Sequence, residues 1–144
     1  MNDSIFLYRI ADAEHIPILP FRLPETGSLC IQSEDENCYI GIDEALLETE
    51  SEKRVHLGHE LGHCVTGSFY NRWAACDIRQ KHENRADKWA IEKLVPERAL
   101  DDAVADGYTD IFSLAEHFEV TEDFMRKAVC WYTYGNLAAD LYFS

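Results

Sequence analysis

Apolar side chains at helical spacing, Leu57, Leu61, Cys64 and Val65, mark out a stretch between Thr49 and Gly67. They predict an amphipathic helix whose stripe lies roughly opposite His59 and His63, leaving the histidine face turned to a cleft. Thr49 or Ser51 is placed to cap its start and Gly67 to end it. A second helix is predicted over about residues 81–95, stopped by Pro96. On it Glu83, Ala86, Asp87, Ala90 and Leu94 share one face, while Arg85, Lys88 and Glu92 point away. Gly58 and Gly62 on the first helix, and Ala86 and Ala90 on the second, leave room for the two to pack closely. Three more helical segments follow near 97–105, 110–118 and 121–134, with Gly107 and Gly135 as breaks. Thr121 caps the last, with Glu122 and Asp123 in its first turn.

The N-terminal third has a different texture. Residues 1–13 carry a weak helical pattern through Ile5, Phe6, Tyr8 and Ile10. Pro17, Pro20 and Pro24 make 15–24 extended and, where it forms a strand, an edge one. Residues 27–32 and 38–42 are short β-type runs joined by the polar stretch 33–37, which reads as a hairpin. The fold class is therefore α+β: a small antiparallel N-terminal sheet on a helix-rich core. One domain over 1–144 accounts for the chain, with helix and sheet to about 50, two central helices over about 51–96 and a helical part over about 97–144. A chain of this length buries about 68–70% of its unfolded surface.

Charge narrows the partners. Twenty-seven acidic against thirteen basic residues give a net charge of −14, which disfavours direct binding to nucleic acid, where phosphates must be neutralised. No apolar run approaches the roughly 20 residues of a membrane span, and the first residues lack a signal-peptide layout, so a cytoplasmic protein is expected. The five cysteines are odd in number and form no CxxC pair. That favours reduced thiols, with Cys30 and Cys38 facing each other across the hairpin and Cys64 a buried small residue.

The chemistry lies in His59-Glu60-Leu61-Gly62-His63, an HExxH run. Histidines at i and i+4 on a helix stand nearly above one another, so both reach one ion at about 2.0–2.1 Å. Glu60 lies one step round the face, near a water on that ion without ligating it, where a general base is needed. A catalytic zinc takes three protein ligands and keeps one position open. Glu83, projecting from the start of the second helix, is the leading third ligand, with His82, Asp77 and Asp87 behind it in that order. Asp87, one turn after Glu83, is placed to accept the free ring N–H of a ligating histidine. His56 lies one turn before His59 within reach of the cleft, and Tyr70 serves either packing or a developing oxyanion. One Zn²⁺ is expected, with manganese or another divalent ion able to replace it. These features point to a zinc-dependent hydrolase.

The HExxH run, the stretch Ser68-Phe69-Tyr70-Asn71, the run from Glu83 to Ala90 and the following Leu94-Val95-Pro96 together resemble the ImmA/IrrE family of metallopeptidases over about residues 40–135. The resemblance implies a small gluzincin-like fold in which His59, His63 and Glu83 bind zinc and Glu60 is the base. It further implies specific cleavage of a helix-turn-helix repressor of a phage or mobile element. The competing expectation is a metal-binding regulator that displaces such a repressor without cutting it. Residues 114–124 also have a helix-turn-helix cadence, but between Asp110 and Tyr134 five acids oppose only Arg126 and Lys127. A recognition helix beginning Glu122-Asp123 meets phosphates with the wrong sign, so Phe118, Phe124, Trp131 and Tyr132 are assigned to packing or repressor docking.

Overall fold

The computed structural model describes residues 4–70 and 73–135. Its elements run α1 (Ile5–Ala13), β1 (Ile18–Pro20), β2 (Ser28–Gln32), β3 (Cys38–Ile42), α2 (Glu50–Thr66), α3 (Cys76–Leu94), α4 (Glu97–Ala105), α5 (Ile111–Phe118) and α6 (Glu122–Tyr134). Residues 1–3 of the first predicted segment, and Asn71, lie outside the described residues.

The sheet is mixed rather than antiparallel, a correction to the expectation. Its order is β1-β3-β2, with β2 antiparallel to β3 and β1 parallel to it. The hairpin is a local signal; the β1 pairing is not. After β1 the chain passes over the sheet at Gly41, where an added Cβ would meet Phe21 at 3.1 Å and Leu23 at 3.5 Å. Phe21 N–H donates to the Ile42 carbonyl and Leu23 N–H to the Asp43 carboxylate, which deliver the chain to the far edge. Gly27, at φ +79, then turns it into β2. Pro20 sits on the edge strand β1, where its missing N–H costs no ladder bond.

Helix α2 begins and ends on side-chain and glycine signals. Thr49, not Ser51, is the cap and accepts from the Glu52 N–H at 3.0 Å; Gly67 closes the helix in the left-handed region. Leu57 and Leu61 enter the core with Leu7, Ile40, Ile91 and Leu94. Val65, expected on the same stripe, is instead 38% exposed. Helix α3 starts five residues before the expected Lys81. Its N-cap Ala75 makes no side-chain cap bond, so nothing in the sequence announced that start.

The cysteine reading is also corrected. Cys38 and Cys64 form a disulfide that ties β3 to the last turn of α2, their Cα atoms 6.0 Å apart. In the hairpin Cys30 pairs with Ile40 and Cys38 with Gln32, so the two thiols expected to face each other do not. The bridge spans 26 residues, a separation that only the packing of α2 across the sheet makes short.

Thr121 caps α6 as expected, and Asp110 caps α5. Phe118 and Phe124 are buried, and the half-buried Tyr132 donates its hydroxyl to the Val95 carbonyl. These aromatic residues serve packing. No described helix is long and apolar enough to cross a membrane.

Candidate metal centre

The HExxH residues lie in the C-terminal half of α2, with His63 in its last turn, and α3 crosses directly against them. Gly62 makes this possible: an added Cβ would stand 2.5 Å from the Ala86 carbonyl oxygen. At that approach His59 and Asp87 meet, Nδ1 to Oδ1, at 2.7 Å. Because an ionised carboxylate only accepts, His59 donates from Nδ1 and turns its Nε2 lone pair inward. His63 is fixed by its own helix end. Gly67 folds the chain back, the Ser68 N–H donates to the His63 carbonyl, and His63 Nδ1 donates to the Ser68 carbonyl at 2.5 Å. Both Nε2 atoms thus face each other, 3.1 Å apart.

Glu83 closes the triangle. Its Oε2 lies 2.8 Å from His59 Nε2 and its Oε1 3.2 Å from His63 Nε2. It reaches there from the second turn of a longer α3, not from the first turn as the shorter helix implied. Three lone-pair groups this close require positive charge between them. Bonds of about 2.0–2.1 Å at tetrahedral angles separate ligand atoms by about 3.3–3.4 Å, close to the spacings observed, so the donor set fits one divalent ion. Protonation answers the same need: burial opposes the charged form of His59, yet the hydrogen bonds with Asp87 and Glu83 outweigh it and carry its pKa up to about 10. Burial likewise opposes the ionised Glu83, but the bonds with His59, His63 and Tyr70 hold its carboxyl far below the usual range.

A second carboxylate stands beside the first. His59, Glu60 and His63 each offer a ligand atom within 4.8 Å of the others, so on proximity alone Glu60 competes with Glu83. Glu83 is nearer, and Glu60 is held elsewhere. Its Oε2 accepts a 2.6 Å bond from the Ser28 hydroxyl, and Ser28 Oγ is also 2.7 Å from His56 Nδ1. The Cys30 thiol lies against the same carboxylate, and burial, then the Glu60 charge, push its pKa well up.

All these groups line one cleft of about 810 Å³, walled by β2, α2, α3 and the start of α6. The structure brings together every predicted site residue: His56, His59, Glu60, His63, Tyr70, Glu83 and Asp87. Tyr70 donates its hydroxyl to Glu83 Oε1 at 2.6 Å, a bond that raises its pKa to about 12. Of the other third-ligand candidates, His82 stacks on Tyr70 and Asp77 sits exposed in the first turn of α3. Sequence reasoning missed Ser28, Cys30, Ser68 and Lys127. Lys127 reaches from α6 to Asp87 Oδ2 at 3.4 Å, linking the C-terminal helices to a residue that orients His59.

A family model described as the IrrE N-terminal-like domain, a peptidase family, matches residues 13–129. The chain belongs to this metallopeptidase family. The match takes in every element from β1 to most of α6, so the IrrE-like domain includes the sheet, the HExxH helix, α3 and the C-terminal pair. No curated protein matches the sequence. The His/Glu cluster fits the divalent metal that this family's chemistry requires.

Proposed function

We propose that this IrrE-like domain is a zinc-dependent endopeptidase that cuts a helix-turn-helix repressor of a phage or mobile element at a specific site. The observation that carries the reading is the division of labour between two carboxylates: Glu83 within 3.2 Å of both imidazoles, and Glu60 beside them but bonded to Ser28. His59, His63 and Glu83 are the ligands of one Zn²⁺, and Asp87 orients His59. When bound, zinc supplies a Lewis acid for the scissile carbonyl and lowers the pKa of an adjacent water to about 7. Glu60 accepts the proton of the attacking water and delivers it to the leaving amine. Tyr70, its hydroxyl already in the cleft, helps to hold Glu83 in place.

A peptide substrate is favoured over other hydrolysable groups by the position of β2. It is an edge strand with no strand on its outer side among the described residues, and its residues Ser28, Leu29 and Cys30 line the cleft. An extended segment of a partner protein can pair there as an added strand, with its backbone across the centre. The repressor as partner comes from the family resemblance, and the shallow cleft of one small domain suits one exposed segment better than general digestion.

Co-expression with the helix-turn-helix repressor expected to be encoded beside it, in wild-type and Glu60→Gln forms, tests this. A defined repressor fragment is expected with wild type alone, while Glu60→Gln retains its zinc. An intact repressor with both forms, especially one that co-purifies, overturns cleavage in favour of binding alone.

A further inference from the structure

Strand β2 presents an unusual face to α2. Its inward positions at spacing two are the small Ser28 and Cys30, while Ile31 is 56% exposed on the other side. Both inward residues touch Glu60. Ser28 is 6% exposed and anchored opposite Ile42. A serine hydroxyl carries one proton. It goes to Glu60 Oε2, since a carboxylate can only accept, so His56 Nδ1–H must donate into Ser28 Oγ. The result is a directed chain from His56 through Ser28 to Glu60.

We infer that Ser28 is a positioning residue that holds Glu60 as the base and keeps it from becoming a further metal ligand. The inference rests on the proposed zinc peptidase. Glu60 is 7% exposed and its ligand atom lies within 4.8 Å of those of His59 and His63. A buried carboxylate that loses its hydroxyl donor and keeps only the weaker Cys30 thiol beside it turns to the nearest cation, here the bound zinc. The Ser28 bond restrains that swing and keeps Glu60 available as the base.

The test is Ser28→Ala, read in two ways. Zinc affinity, measured by competition with a chromophoric chelator, is expected to rise about fivefold to tenfold. The rise should vanish in Ser28→Ala/Glu60→Gln compared with Glu60→Gln alone. Against the repressor cut by wild type, kcat is expected to fall about 100-fold with KM unchanged. A merely structural serine gives a lower or unchanged zinc affinity, and either result overturns the inference, as does a rise that persists with Gln at 60 or a kcat within threefold of wild type. The affinity cycle needs no substrate, so a wild-type protein that cuts nothing refutes the peptidase reading separately.

Discussion

Gly62→Ala inserts one methyl group into the contact between α2 and α3. Its Cβ would lie 2.5 Å from the Ala86 carbonyl oxygen, where ordinary contact begins at 3.4 Å. The helices must therefore separate by about 0.9 Å along that line, since close-packed backbone cannot turn aside as a side chain can. Helix propensity alone favours the substitution by about 0.8–1.0 kcal/mol. Overpacking costs about 1–3 kcal/mol, and the backbone obstacle places this case at the upper end. The net expectation is a loss of about 1–2 kcal/mol in urea unfolding of the metal-free protein. The consequence for the site is larger, because α2 carries His59 and His63 and α3 carries Glu83. Metal sites tolerate departures of about 0.2 Å in ligand distance, so zinc affinity should fall at least about tenfold. Gly58→Ala is the control: its Cβ meets Leu94 Cδ1 at 3.0 Å and Ala90 Cβ at 3.6 Å, and the Leu94 side chain can rotate. That variant should be close to neutral in both assays. A Gly62→Ala protein at least as stable as wild type, with undiminished zinc affinity, refutes the argument.

Asp87→Asn weakens the acceptor that fixes the His59 ring and is expected to lower zinc affinity about 10–100-fold in the same competition assay. Lys127→Ala removes only a half-exposed partner of Asp87 and should change affinity less than about threefold. Cys64→Ser opens a loop of 26 residues; chain entropy sets the loss at about 3.5 kcal/mol in chemical unfolding under oxidising conditions. A loss below about 1 kcal/mol, or no effect of reductant on the wild type, speaks against the bridge.

What could be read from the sequence was what is encoded locally. The HExxH helix carries its motif, its Thr49 cap and its Gly67 stop within nineteen consecutive positions, and the structure keeps all three. The close packing of α3 followed from Gly62 and Ala86, small residues at matching places. The uncapped start of α3, the parallel pairing of β1 and the Cys38–Cys64 bridge leave no local trace, because each depends on contacts far along the chain. Ser28 and Lys127 reach the site from other elements for the same reason. One signal for Ser28 was present: the small Ser28 and Cys30 alternate with the larger Leu29 and Ile31 in β2, the inverse of a strand whose large apolar side faces the core.

Diffraction above the zinc absorption edge from crystals of the zinc-loaded protein tests the proposed centre most directly. The account predicts one anomalous peak between α2 and α3, bonded to Nε2 of His59, Nε2 of His63 and the carboxylate of Glu83, with Glu60 still on Ser28. A peak bonded by Glu60 in place of Glu83, or none between the helices, contradicts it.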